Sequence, residues 1–200
     1  MNDKNHFEQL NKNTHVISAF HQNQSVTSWV GKGDYVLYHG NLGVAENYNA
    51  AMYLIQELFS YSEHRLIIAG NNAPEKLRKL CSKYSNVSLI ENINTEEIIQ
   101  LVRQAQINIL VTKQATGIKL KLLAALFNGR FCLVNKEMVV DTGLEPYCLE
   151  GNGSKELLPL INKYMDVEFD QLQINKRKEL ENSVFSNSYN VDRLIDLLFN

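Results

Sequence analysis

The sequence contains little cysteine, proline or tryptophan, with three Cys, three Pro and one Trp among 200 residues. Cys81, Cys132 and Cys148 lie far apart and include no CxxC pair, which argues against a zinc site or a redox motif and predicts reduced core thiols. An excess of either charge is also absent, because 20 basic residues face 22 acidic ones. The composition therefore predicts no general affinity for nucleic acid or for an anionic membrane, so any basic site must be local.

Long apolar runs are missing too. The first 15 residues, MNDKNHFEQLNKNTH, are polar and contain no signal region, and no apolar run approaches the roughly 20 residues that span a bilayer. These absences predict a cytoplasmic chain without a membrane span of its own. Four histidines show no metal-ligand spacing, so we expect no metal and no cofactor; they are His6, His15, His21 and His64.

The length suits one domain. Residues 1–33 are rich in Asn, Gln and His without sustained periodicity and are predicted to be linker-like, whereas residues 34–200 are predicted to form the domain. In that domain, apolar strand-like runs alternate with helical ones. The predicted strands are 35–40, 65–70, 86–92, 107–112 and 130–135, and the predicted helices are 47–59, 74–84, 95–105 and 118–127.

Local signals support these boundaries. Pro74 suits the first turn of a helix, Thr95 precedes two glutamates and is a plausible N-cap, and Gly129 suits a helix end. Nearly continuous apolar strands that alternate with helices predict an α/β fold. Its expected form is a doubly wound parallel sheet in a Rossmann-like three-layer sandwich.

In such sheets, ligands bind outside the carboxyl ends of the strands. The predicted strand ends present small and amide residues, which admit a ligand close to the backbone and can hydrogen-bond sugar hydroxyls or a base. The alternative is that each of these residues only forms a turn. The candidates are Gly40, Asn41, Asn71 and Asn92.

The segment 111–129, VTKQATGIKLKLLAALFNG, is typical of an anion site. A strand runs into a Thr116-Gly117 turn, and the next helix begins with Lys119 and Lys121. Backbone N–H groups, the helix dipole and two ammonium groups can together bind a phosphate. The alternative is a solvated pair of lysines on an exposed first turn.

Three other patterns in the sequence have functional interpretations of their own. His39 ends the first predicted strand and is interpreted as a histidine hydrogen-bonded to a neighbouring loop rather than as a catalytic group. The segment 139–143, VVDTG, matches the turn of aspartic proteases, but its surroundings are α/β. A dehydrogenase-like or response-regulator-like domain is a third alternative, yet GNLGVAEN is only a partial GxGxxG match and the strand ends lack acidic residues.

From residue 35 to about 199, the chain resembles the C-terminal, nucleotide-sugar-binding half of a GT-B-fold glycosyltransferase of the retaining group 1, family 4 type. The segments that carry the resemblance are YVLYHGNLGVAEN, RLIIAGNNAPEKL, NVSLIENINTEEIIQLVRQAQINILVT and TGIKLKLLAALFNGRFCLVNKEM. The resemblance implies a nucleoside-diphosphate sugar as donor substrate, with the diphosphate at the Thr116–Lys121 turn. It also implies a glycan or polysaccharide acceptor, bound through an N-terminal domain that these residues do not include.

The chain departs from the family at two places. Thr116 and Ala124 stand where the family commonly has two glutamates, and Asn41 and Asn71 stand where it often has Arg and Lys. Two functions therefore stay open: the donor-binding domain of a retaining transferase in polysaccharide biosynthesis, inactive alone, or a non-catalytic nucleotide- or sugar-binding module. For the full-length enzyme, a location at the inner membrane surface also stays open.

Overall fold

The computed structural model describes residues 2–115 and 119–199. Six strands form one parallel sheet in the order β3-β2-β1-β4-β5-β6. The strands are β1 (Tyr35–His39), β2 (Arg65–Ala69), β3 (Val87–Ile90), β4 (Ile107–Leu110), β5 (Phe131–Val134) and β6 (Leu149–Glu150). The predicted doubly wound α/β fold is confirmed.

The described residues also contain nine α-helices. They are α1 (Asn2–Leu10), α2 (Ala45–Tyr53), α3 (Glu75–Cys81), α4 (Thr95–Gln104), α5 (Leu120–Asn128), α6 (Lys136–Val139), α7 (Ser154–Met165), α8 (Gln171–Arg177) and α9 (Asn187–Phe199). A π-helical segment, Leu54–Leu58, and a 3-10 turn, Phe59–Tyr61, continue α2. None of the helices in the described ranges is long and apolar enough to cross a membrane.

Both faces of the sheet are covered because the strands are apolar on both sides. Val36 and Tyr38 of β1 pack in one cluster with residues of α2, α3 and α7, whereas Tyr35 and Leu37 pack with Val102 of α4 on the other face. Helix α5 covers β4 and β5 on that second face. The result is the three-layer sandwich that the sequence predicts.

The structure differs from the sequence-based expectation at several element boundaries and in one additional strand. The N-cap of α4 is Asn94 rather than Thr95, because the Asn94 side chain accepts the Glu97 amide at 3.0 Å while the Glu97 carboxylate accepts the Asn94 amide at 2.8 Å. Strand β6 was not predicted, since two residues are too few to show an alternating pattern. Gly129 follows the last residue of α5 as predicted, and its N–H donates to Ala125 O at 2.8 Å.

The first 33 residues include α1 and a segment that lies along the domain. The Thr27 amide donates to Phe127 O at 2.7 Å, and Gly31 pairs with Phe169 in an antiparallel bridge. At the other end of the chain, α9 buries only Asn190 and leaves most of its apolar side chains exposed. Helix α9 is therefore not part of the buried core.

Candidate functional site

The candidate site lies where the strand order reverses. β1 pairs with β2 on one side and with β4 on the other, so the chain leaves β1 into α2 on one face and leaves β4 toward α5 on the opposite face. The loops that follow β1 and β4 therefore separate and leave a crevice at their carboxyl ends, where open parallel sheets bind ligands.

Lys121, in the first turn of α5, is a cation held at this crevice. Its Nζ donates to Asn47 Oδ1 at 3.1 Å and lies 5.4 Å from the centre of the Tyr38 ring. Burial lowers the pKa of Lys121, Glu46 nearby raises it, and Lys119 lowers it again. A partly buried ammonium bonded to a neutral amide keeps the capacity to bind an anion.

Asn41 and Gly40 join the same network. Asn47 Nδ2 donates to Asn41 O at 3.1 Å, so the turn after β1 is tied through Asn47 to the first turn of α5. A Cβ on Gly40 would lie 3.1 Å from the Asn47 side chain, so a larger residue there would press on the amide that holds Lys121. The structure thus brings Gly40, Asn41 and Lys121 together, and their role in ligand binding stays a prediction.

The end of β2 is connected to this turn. Asn41 Oδ1 accepts Asn72 Nδ2 at 3.3 Å, and the Leu42 amide donates to Asn71 O at 2.9 Å. Gly70, the first residue after β2, has φ +154°, and a Cβ on it would collide with Gly40 O. Close approach of the two backbones explains the glycine at this position.

Asn71 and Asn92 hold the turns after β2 and β3. The Asn71 side chain donates to Ile93 O at 2.9 Å and accepts the Ile93 amide at 3.0 Å. Asn92 has φ +55, a left-handed conformation that Asn tolerates better than most residues. Both residues therefore have a turn-forming role in the structure, and contact with a ligand stays a prediction for each.

Lys119 precedes α5 as its N-cap residue, and its Nζ donates to Gln114 O at 2.9 Å. Two of the predicted site residues, Thr116 and Gly117, lie outside the described residues. Ala124 lies within α5 and is partly exposed, so the helix presents a methyl group where the resemblance leads one to expect a carboxylate.

His39 is 6% exposed, and its Nε2 has no hydrogen-bond partner among the described residues. Burial lowers the pKa of His39 to about 4, and the positive charge of Lys121 contributes. For Nε2, the expected hydrogen bond to a neighbouring loop is therefore not present in the described part of the chain.

Sequence reasoning missed Glu46. This residue lies in the first turn of α2, and its carboxylate accepts the hydroxyl of Thr112, the second residue after β4. The signal available in the sequence was an acidic residue in the first turn of a helix that follows a strand. A carboxylate there interacts favourably with the positive end of the helix dipole and lies near the ligand-binding edge of the sheet. Nothing local in the sequence indicates its partner, which is 66 positions away.

Glu46 also lines a cleft of about 470 Å³ on the α2 and α7 side of the crevice. Asn135 and Glu137, from the end of β5 and the start of α6, line the same cleft. Within residues 2–115 and 119–199, His, Cys, Asp and Glu side chains form no group of three that could hold a metal ion.

No protein-family model matches this sequence, and no curated protein sequence matches it. Solved structures do match. An α,α-trehalose-phosphate synthase (UDP-forming) from Burkholderia xenovorans superposes with a TM-score of 0.62 at 10% identity over 83% of this chain. TarM superposes with a TM-score of 0.66 at 13% identity over 98% of the chain. This chain has the fold of a GT-B glycosyltransferase domain.

AviGT4, a glycosyltransferase involved in avilamycin A biosynthesis, also has this fold, with a TM-score of 0.58 at 16% identity over 91% of the chain. The GT-B-like domain described here spans 44% of the trehalose-phosphate synthase, 42% of TarM and 56% of AviGT4. It therefore corresponds to about half of a GT-B protein.

Proposed function

We propose that this domain binds the donor of a retaining glycosyltransferase, which transfers a sugar from a nucleoside-diphosphate sugar to a glycan or polysaccharide acceptor. The observation that carries the proposal is the Lys121–Asn47–Asn41 network at the switch point of a GT-B fold. It places a partly buried ammonium in the first turn of α5, at the crevice where such sheets bind ligands.

The chemistry of this position favours a diphosphate. A helix N-terminus carries partial positive charge, and a lysine there is unfavourable unless an anion compensates it. Lys119 and Lys121 lie close enough for one to lower the pKa of the other, so each charge opposes the other when no anion is bound. A diphosphate between them would neutralise both. One solved relative in fold, a TarM variant from S. aureus, was crystallised with UDP.

The acceptor requires more protein than these residues provide. Because the chain spans about half of its structural neighbours, we infer that an acceptor-binding domain faces the Lys121 crevice in the complete enzyme. Catalysis would then take place in the cytoplasm, at the interface of the two domains, with attachment to the inner membrane surface as a feature of the complete enzyme.

A second candidate function is a non-catalytic nucleotide- or sugar-binding module. Ala124 favours it, since a methyl group cannot accept a hydrogen bond from a ribose hydroxyl. Loss of one charge-assisted hydrogen bond would make the free energy of donor binding less favourable by about 1.5–3 kcal/mol. Both candidates predict nucleotide binding, and only the first predicts transfer once an acceptor domain is present.

Thermal unfolding with UDP, GDP and their sugars tests the proposal. At a ligand concentration about a hundredfold above Kd, binding should stabilise the domain by about 2.7 kcal/mol and raise Tm by about 5 to 10 °C. Lys121→Ala and Lys119→Ala should abolish most of that rise. Lys83→Ala is the matched control and should retain the rise. Lys83 is exposed and lies between α3 and β3, at the amino ends of the strands.

Two results would contradict the proposal. A Tm that no nucleotide raises would remove the evidence for a donor site. A rise that is the same in the Lys121 and Lys119 variants as in the Lys83 variant would place nucleotide binding away from α5.

A further inference from the structure

A cleft beside Lys121 is lined by acidic, amide and apolar side chains. It occupies about 470 Å³, and it lies where α2, α6 and α7 begin. A volume of this size falls within the range of small-molecule sites. Its polar lining consists of carboxylates and side-chain amides together with the exposed Lys113; those acids and amides are Glu46, Asn49, Gln114, Asn135, Glu137 and Asn152.

Thr112 organises the polar wall. Asn135 accepts the Thr112 amide at 3.0 Å and donates to Thr112 O at 2.7 Å, so its side chain is fixed against β4. The same Asn135 Nδ2 donates to Glu137 Oε2 at 2.6 Å, and the Thr112 hydroxyl donates to Glu46 Oε1. Two carboxylates from different helices are thereby held around one buried residue.

Each carboxylate keeps further acceptor capacity. An ionised carboxylate has about four acceptor positions, and the contacts with Thr112 and Asn135 occupy only part of them. Glu46 and Glu137 are partly exposed, so their other acceptor positions are accessible from the cleft. Carboxylates placed in this way suit ligands that donate several hydrogen bonds, and hydroxyl groups are such donors.

The charge of the cleft disfavours phosphate, because two carboxylates and one ammonium line it. Each of the three helices that begin here has an acidic residue in its first turn, Glu46 in α2, Glu137 in α6 and Glu156 in α7. These carboxylates already compensate the positive helix ends. An anionic group in the cleft would meet net negative charge, whereas an uncharged one would not.

The remaining wall is apolar. Ala50, Val111 and Leu157 are buried, and Tyr53 is half-buried beside them. A sugar ring has one set of C–H groups that pack on apolar or aromatic surface and a rim of hydroxyls that need hydrogen-bond partners. The cleft offers both kinds of surface in one volume.

We propose that this cleft binds a neutral pyranose, with Glu46 and Glu137 accepting hydrogen bonds from its hydroxyls. The sugar has two possible sources: the donor nucleotide, an assignment that rests on the proposed function, or a separate glycan. Glu46 neighbours Asn47, the partner of Lys121, so the cleft adjoins the phosphate-binding crevice and suits either source.

Nuclear magnetic resonance of the 200-residue chain tests the proposal through the side-chain amide signals of Asn135 and Asn152. The probes are methyl α-glucopyranoside, methyl α-galactopyranoside, UDP-glucose, UDP and inorganic phosphate. At least one sugar-containing probe should shift both signals saturably, whereas UDP and phosphate should not. Glu46→Gln and Glu137→Gln should each lower the affinity for the sugar, measured from the saturation of these shifts, about tenfold or more. Glu63→Gln, an exposed carboxylate before β2 at the opposite edge, should not.

The different probes identify the source of the sugar and separate the proposed sugar site from the proposed nucleotide site. Shifts with UDP-glucose alone would assign the sugar to the donor, and shifts with a methyl glycoside would assign it to a separate glycan. The rise in Tm that UDP causes in the wild type, and its loss in the Lys121→Ala variant, test the nucleotide site independently. Absence of any sugar-dependent shift, an equal shift with phosphate, or unchanged sugar affinity in both glutamine variants would overturn the proposal.

Discussion

Acidification should destabilise this domain through His39. The side chain is 6% exposed, and burial lowers its pKa from the ordinary value of 6.5 to about 4. Between these two values the unfolded chain binds a proton that the folded chain excludes. Stability due to His39 is therefore fully present above the unfolded pKa and is lost as the pH falls toward the folded pKa.

The magnitude follows from the two pKa values. Protonation of an unfolded histidine lowers the free energy of the unfolded state by about 0.2 kcal/mol at pH 7 and by about 2 kcal/mol at pH 5. The folded state gains almost nothing at either pH because His39 stays neutral. Acidification between these values should therefore cost about 1.5–2 kcal/mol through this residue alone.

Urea unfolding of the wild type and of His39→Gln at both pH values measures the effect. The chain contains four other histidines, and their contribution cancels in the difference between the two proteins. The wild type should lose about 1.5–2 kcal/mol more than the variant on acidification. If the variant does not fold, the pH dependence of the His39 ring signals in the wild type gives the same information. Equal losses in the two proteins, or a His39 ring that protonates near pH 6.5, would refute the reasoning.

Three other substitutions should change stability by amounts that the structure indicates. Arg177→Met should cost about 3–5 kcal/mol in urea unfolding, because three buried main-chain carbonyls around the end of α5 would lose the guanidinium that donates to them. Gly70→Ala should cost at least about 2 kcal/mol and lower Tm, because the new Cβ would collide with Gly40 O. Asn94→Ala should cost about 1 kcal/mol by thermal unfolding, because α4 would lose its capping box.

Matched controls make these three results interpretable. Each control should cost less than the substitution with which it is paired. Lys178→Met changes an exposed residue next to Arg177, and Glu96→Ala changes a residue outside the capping box. Gly153→Ala adds a Cβ that meets nothing within 4 Å, although φ there is +69°. A pair in which the control costs as much as the test would show that the named contact does not explain the loss.

The sequence predicts the candidate site only where the signals are local. Strand ends and the lysines at the start of α5 follow from hydrophobic periodicity and helix-start patterns, which involve residues close together in the chain. Glu46 shows locally only an acidic residue at a helix start, and nothing near it in the chain indicates its partner Thr112, which follows another strand. Asn71 shows the converse: an amide at a strand end resembles a ligand-binding residue, yet Ile93 after β3 takes both of its hydrogen-bonding groups.

The sequence by itself determined the alternation of strands and helices, the edge of the sheet where we propose that a ligand binds, and two lysines near it. Burial of both sheet faces and the polarity of helix ends impose these features, and both are written in short stretches of residues. Only the tertiary structure decided which groups meet. The strand order places β1 beside β4, and with it Asn47 against Lys121 and Glu46 against Thr112, across 74 and 66 positions of chain. Such pairings depend on how distant strands assemble, which no local pattern records.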